Sequence, residues 1–150
     1  MRILVQRVSE ASVKIDGNVN GAIQKGLLLF VGIGEDDSPE DISWLIKKVI
    51  GLRIFNDNEG QMNLSSEDIS AEFLVISQFT LHASIKKGKR PSYIKAARSE
   101  QADILYKSFI QQLMSAQKQK VASGIFGADM KVSLINDGPV TIWIDSKNKQ

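Results

Sequence analysis

The segment Gly26-Leu27-Leu28-Leu29-Phe30-Val31-Gly32-Ile33 has no polar residue at any position. A half-exposed strand alternates and an amphipathic helix shows a wet stripe. A short run with neither pattern reads as a strand buried on both faces. Such a strand needs covering layers on each side, so the chain must build a layered or closed sheet rather than an open two-layer one. Its apolar core, Leu27 to Val31, is far shorter than the ~20 residues of a membrane span.

The surrounding pattern supplies partners. Residues 2–8 and Ser12 to Ile15 read as strands, and Asp16-Gly17-Asn18 turns the chain into a return strand ending near Gln24. Ser38 is a fitting N-cap, Pro39 suits the first helical position, and Glu40 and Asp41 favour the positive helix start. Ile42, Leu45, Ile46, Val49 and Ile50 then form one apolar stripe. A short strand is expected over Leu52–Phe55, a turn over 56–60, and a strongly apolar strand over Glu72–Leu81. A second helix starts near Ser99, burying Ala102, Leu105, Tyr106, Phe109 and Leu113. Val132–Ile135 and Val140–Ile144 read as two strands joined through Asn136-Asp137-Gly138-Pro139, and the polar 146–150 tail is expected to fray. The sum is an α/β chain. It is expected to form one domain over residues 1–150, with mixed, largely antiparallel, barrel-like sheets and two main helices packed on them.

Composition narrows the chemistry. The absence of cysteine excludes disulfides, thiolate zinc sites and cysteine nucleophiles, and one histidine, His82, cannot build a multi-histidine metal site. The basic start Met1–Arg7 lacks the long apolar region of a signal peptide, and a cytosolic setting is expected. A net charge of +2 is too mild to mark a nucleic-acid binder, so such a role must come from a local patch.

Four segments are unusual for a scaffold. Ser77-Gln78-Phe79-Thr80-Leu81 places polar groups at the end of a hydrophobic strand, where they either line a pocket or face solvent. Strand periodicity puts Gln78, Thr80 and His82 on one face. Thr80 and His82 lie too far apart for an easy pair, and no adjacent aspartate orients the ring. Gly138-Pro139 between apolar runs is a bend, an edge or a cis bond, because proline has no N–H for a central ladder. Lys86-Lys87-Gly88-Lys89-Arg90-Pro91-Ser92-Tyr93 is either a solvated loop or a phosphate-binding one with Tyr93 placed to stack on a base. Gly124-Ile125-Phe126-Gly127-Ala128-Asp129-Met130 carries small residues that permit close approach, or is a loop into the next strand.

Taken in order, these segments resemble the D-aminoacyl-tRNA deacylase family. Ser77-Gln78-Phe79-Thr80-Leu81 and Asn136-Asp137-Gly138-Pro139-Val140-Thr141 match its two signatures. Met1-Arg2, Gln6-Arg7-Val8, Leu52-Arg53-Ile54-Phe55, Met62-Asn63-Leu64-Ser65 and Phe126-Gly127-Ala128-Asp129-Met130 are also similar. The basic loop is similar too, with Lys89 and Tyr93 where arginine and phenylalanine are more usual. His82 stands where another residue, often tyrosine, is expected.

The resemblance implies a homodimer with its active site at the subunit interface, where a cis Gly138-Pro139 enters the partner's pocket and Arg7 supports it. It implies a catalytic segment of Ser77, Gln78, Phe79 and Thr80, with Phe126, Ala128 and Met130 in the substrate pocket. Lys86, Lys87, Lys89, Arg90, Ser92 and Tyr93 are expected at the tRNA. No metal, cofactor or membrane is implied. The expected reaction is ester hydrolysis assisted by the terminal adenosine's 2′-OH, and Thr80 as nucleophile remains the alternative.

Overall fold

The computed structural model describes residues 1–149. Its strands are β1 Arg2–Ile15, β2 Asn18–Ile23, β3 Gly26–Gly32, β4 Phe55–Asn56, β5 Met62–Leu64, β6 Glu72–Ser77, β7 Val121–Ser123 and β8 Lys131–Asp145. The helices are α1 Pro39–Gly51 and α2 Ser99–Ala116, and a 3₁₀ turn covers Phe79–His82.

The main sheet runs β2-β1-β3-β6-β7, with β8 along the other edge of β1. β1 is antiparallel to β2, β3 and β8, whereas β3–β6 and β6–β7 are parallel. The first half of β1 pairs with β3 (Arg2 opposite Gly32) and the second half with β2 (Ile15 opposite Asn18). That division lets β1 bend and rolls the sheet toward closure. β2 swings back to β7, where Asn20 Nδ2 donates to the Ser123 carbonyl at 2.8 Å. The result is a mixed α/β fold with a nearly closed, barrel-like sheet and two helices.

The two faces of β3 explain its unbroken apolar sequence. Leu27, Leu29 and Val31 join Ile3, Val5, Phe73 and Val75 under α1 and α2, which contribute Ile42, Leu45, Val49, Tyr106, Phe109 and Leu113. Leu28 points the other way, into a barrel interior shared with Val8, Val13, Ile23, Leu74 and Ile76. Fully burying each such side chain contributes about 1.5–3 kcal/mol. At the β3–β6 crossing Gly26 is required, since a Cβ there would lie 1.9 Å from the Glu72 carbonyl oxygen.

Several expectations are corrected. The two N-terminal strands are one, because β8 pairs along both and register shifts near Val8 absorb the break at Ser9-Glu10. The two C-terminal strands are likewise one, and β8 continues through a cis Gly138–Pro139 bond. The strand expected at 52–55 shrinks to Phe55–Asn56, and it pairs with a further strand, Met62–Leu64, that the local pattern does not mark. The strand expected to reach Leu81 ends at Ser77. The tail does not fray at Ser146. That residue is buried, its N–H donates to the Met1 carbonyl, and its hydroxyl accepts from the Met1 ammonium, which also meets Asp37. Gln150, part of the same expectation, lies outside the described residues.

Candidate active site

β6 and β7 are parallel and in register, with Val75 opposite Ser123. The segments that follow them, Ser77–Phe79 and Gly124–Met130, therefore leave the sheet side by side. The space beyond the carboxyl ends of parallel strands is a natural ligand crevice. Here it holds a cavity of about 370 Å³, walled by Ser77, Gln78 and Phe79 on one side and by Phe126, Ala128 and Met130 on the other. Ile76, Ser99, Gly127 and Val132 complete the lining.

The walls are fixed from behind. Gly124 N–H and the Tyr106 hydroxyl both donate to the Val75 carbonyl, at 3.0 and 2.8 Å. Burial pushes the Tyr106 phenol above its ordinary value, so it stays a donor at physiological pH. The Tyr106 ring also packs against Phe126, with centroids 6.0 Å apart. A Cβ on Gly124 would sit 2.3 Å from the Met130 sulfur, so glycine is what lets Met130 reach the cavity.

Gln78 ends the extended run, and the chain tightens into the 3₁₀ turn of Phe79–His82. This overturns the single strand face expected for Gln78, Thr80 and His82. The turn brings Gln78 Nε2 within 2.5 Å of Thr80 Oγ1. Gln78 N–H is taken by the Val31 carbonyl and Leu81 N–H by the Gln78 carbonyl. Among the described residues the amides of Phe79 and Thr80 find no acceptor, as befits the first amides of a helical turn. Thr80 itself is half-buried and outside the cavity lining.

His82 is buried, and burial holds its imidazole below the ordinary value. It lines other hollows, beside Arg2 and Lys95, rather than the cavity at Gln78. No titratable side chain lines the Gln78 cavity among the described residues.

Arg7 is buried, as its alternation with Ile3 and Val5 on β1 requires. Its guanidinium donates to the Asp137 carbonyl at 2.7 Å, the Ile54 carbonyl at 2.6 Å and Asn56 Oδ1 at 3.2 Å. It thus braces the strand just before Gly138–Pro139, and both of those residues are exposed. Neither lines the Gln78 cavity of the same chain.

The basic loop is closed by a reciprocal pair of hydrogen bonds, Ser84 N–H to Ser92 O at 2.8 Å and Ser92 N–H to Ser84 O at 2.9 Å. Lys86, Lys87, Lys89 and Arg90 are exposed and form no ion pair among the described residues. The Tyr93 ring at the loop's end meets Phe79 edge-on. Ser99, Ile76 and Val132 read in the sequence as a helix start and strand residues, with no functional signal. Ser99 enters because α2 starts at the cavity rim, a placement no local pattern encodes.

Fold and site together define a barrel-like α/β protein with an uncharged crevice at the ends of two parallel strands and a cationic loop beside it. Residues 4–145 match the family model described as D-Tyr-tRNA(Tyr) deacylase. The chain is 61% identical over 150 residues to the D-aminoacyl-tRNA deacylase of Flavobacterium psychrophilum, covering all of both chains. It is 57% identical, again over the full length of both, to the D-aminoacyl-tRNA deacylase of Chromobacterium violaceum. A solved structure described as c-Myc DNA unwinding element binding protein superposes with a TM-score of 0.92 at 37% identity, over 97% of this chain and 98% of that one. This chain belongs to the D-Tyr-tRNA(Tyr) deacylase family.

Proposed function

We propose that the protein hydrolyses the ester joining a D-amino acid to the terminal adenosine of tRNA, releasing both as translational quality control in the cytoplasm. The observation that carries this reading is the convergence of Ser77-Gln78-Phe79 and Phe126–Met130 on one cavity without a titratable side chain. A site with no acid, base or charged nucleophile in its walls suits a reaction whose catalytic hydroxyl belongs to the substrate. The adenosine 2′-OH lies next to the ester, and the protein's task is to hold the two in reacting geometry. The unclaimed amides of Phe79 and Thr80 are suited to a developing oxyanion, where losing one donor typically costs about 10²–10³ in rate.

Chirality is read by backbone. In the proposed homodimer, Gly138–Pro139 of one subunit faces the cavity of the other. An L-amino acid is then rejected by collision with that wall, whereas glycine, with no side chain to collide, is accepted. The exposure of the dipeptide and its bracing by Arg7 support this reading. So does the outer edge of β8, which has no sheet neighbour among the described residues and exposes Ile135 and Trp143. Lys86, Lys87, Lys89, Arg90, Ser92 and Tyr93 hold the tRNA end.

The test is release of amino acid from matched D-tyrosyl-, L-tyrosyl- and glycyl-tRNA, with and without chelator. Fast release from the D form, none from the L form and no chelator effect are expected. Equal release of D and L forms overturns the backbone wall. No release from any substrate, with RNA binding retained, points instead to a non-catalytic nucleic-acid binder.

A further inference from the structure

Three residues beyond Phe79, at His82, the chain begins to border a second hollow, of about 390 Å³, lined also by Arg2, Ser84, Ile85, Lys86 and Lys95. No carboxylate lines it among the described residues. Lys86 and Lys95 are exposed and unpaired among the described residues. Arg2 is held in place. Its Nε donates to Asp145 at 2.9 Å, its Nη1 donates to the Leu81 carbonyl at 2.9 Å, and its guanidinium lies 5.5 Å from the centre of the Trp143 ring. Asp145 offsets part of that charge, which leaves Lys86 and Lys95 as the groove's cations without an ion-pair partner among the described residues.

Three features give the groove a direction. Ser84, in its wall, is hydrogen-bonded to Ser92 at the end of the basic loop. Tyr93, the next residue, touches Phe79 at the rim of the candidate active site. In the adjoining hollow Lys95 borders Glu35, Asp36 and Asp37, which repel a polyanion from that side. A cationic lane thus runs from Phe79 past the loop to Lys95. The five residues from Phe79 to Ser84 span less than about 18 Å even if fully extended, so one strand of RNA can occupy both ends.

We propose that this groove is a second phosphate site for the tRNA substrate, outside the basic loop, with Lys95 as its principal exposed cation and Lys86 shared with the loop. The identity of the ligand rests on the deacylase reading; the cationic groove does not. A positioning contact of this kind carries no sequence information and acts on affinity rather than on chemistry.

The experiment measures deacylated tRNA binding against salt for the wild type, Lys95→Gln, Lys95→Glu and Lys118→Gln, the last an exposed lysine beyond α2. The same proteins are assayed on D-tyrosyl-tRNA and on D-tyrosyl-adenosine, which has no phosphate. Lys95→Gln is expected to weaken tRNA binding and to flatten the slope of log Kd against log salt by about 0.7–0.9, the signature of one lost phosphate contact. Lys95→Glu weakens binding further. Hydrolysis of D-tyrosyl-adenosine stays unchanged in both, and KM for the full tRNA rises. A Lys95→Gln slope equal to that of Lys118→Gln overturns the proposal. If no protein hydrolyses either substrate yet the Lys95 slope falls, the deacylase reading fails and the phosphate site stands.

Discussion

Phe79 and Tyr93 meet edge to face, with ring centroids 5.0 Å apart and an interplanar angle of 70°. One ring stands at the rim of the uncharged cavity and the other ends the basic loop, so the contact joins the proposed chemical and RNA-binding halves. An aromatic base platform contributes about 1–3 kcal/mol by alanine substitution. Tyr93→Ala is therefore expected to raise KM for D-aminoacyl-tRNA by about tenfold or more, with kcat little changed. Tyr93→Phe keeps the ring and stays close to wild type. Steady-state kinetics decide the matter, and an unchanged KM in Tyr93→Ala removes the platform role.

The sequence carried the helices and the double-sided strand because their signals are local. The α1 stripe of Ile42, Leu45, Ile46 and Val49 and the α2 stripe ending at Leu113 face the core as the 3.6-residue period requires. Strand boundaries are not legible wherever a partner strand overrides local chemistry. Ser9-Glu10 and Gly138-Pro139 look like breaks, yet β1 and β8 pair on both sides of each, and the irregularity is absorbed as shifted register. The 3₁₀ turn at Phe79–His82 was hidden because Phe79 and Leu81 alternate as a strand would. The site segments themselves were visible as oddities. Their meeting was not, because it depends on Val75 lying opposite Ser123, a pairing between residues far apart in sequence.

Thr80 Oγ1 accepts a hydrogen bond from Gln78 Nε2 at 2.5 Å, and among the described residues no titratable side chain hydrogen-bonds to it. With no titratable hydrogen-bond partner to take its proton, its hydroxyl is poorly suited to attack. Thr80→Ala is expected to lower kcat by about tenfold at most, well short of the loss seen when an essential acid–base group worth about 10²–10⁴ is removed. A substrate ending in 2′-deoxyadenosine should instead lose most of its turnover. Near-complete inactivity of Thr80→Ala, with the deoxy substrate still cleaved, would make threonine the nucleophile.

Acid stability should fall in two stages. The His82 imidazole is held below its ordinary 6.5 chiefly by burial, so the unfolded chain binds its proton more readily. This contribution is fully present above 6.5 and drains away as pH falls from there toward the lower folded value. Asp41 behaves as a carboxylate of the same sense at lower pH. Burial pushes it up, but contacts from Lys147, Ser146 and the Ser38 N–H outweigh that and hold it far below 3.8. Its contribution is intact above 3.8 and is lost below. Urea midpoints measured from pH 7 down to pH 2 should show the upper stage and then the onset of the lower one. His82→Gln should erase the upper one alone, and Lys147→Ala should shrink the lower.

Arg7 offers the sharpest separation of fold from function. Its three acceptors, the Ile54 and Asp137 carbonyls and Asn56 Oδ1, tie the 54–56 segment and the bend just before Gly138 to one guanidinium on β1. A lysine retains the charge but not the fork that reaches several acceptors at once. A buried acceptor left unpaired costs about 1–3 kcal/mol, so Arg7→Lys should lower the unfolding free energy by roughly that amount while still folding. Because the Asp137 contact lies next to Gly138, loosening it should also blunt the proposed wall. The expected result is a smaller ratio of D- to L-tyrosyl-tRNA hydrolysis, through gained activity on the L form rather than only lost activity on the D form. Denaturant titration and paired kinetics on the two substrates check this. Destabilisation with the D-to-L ratio intact would leave Arg7 a purely structural residue.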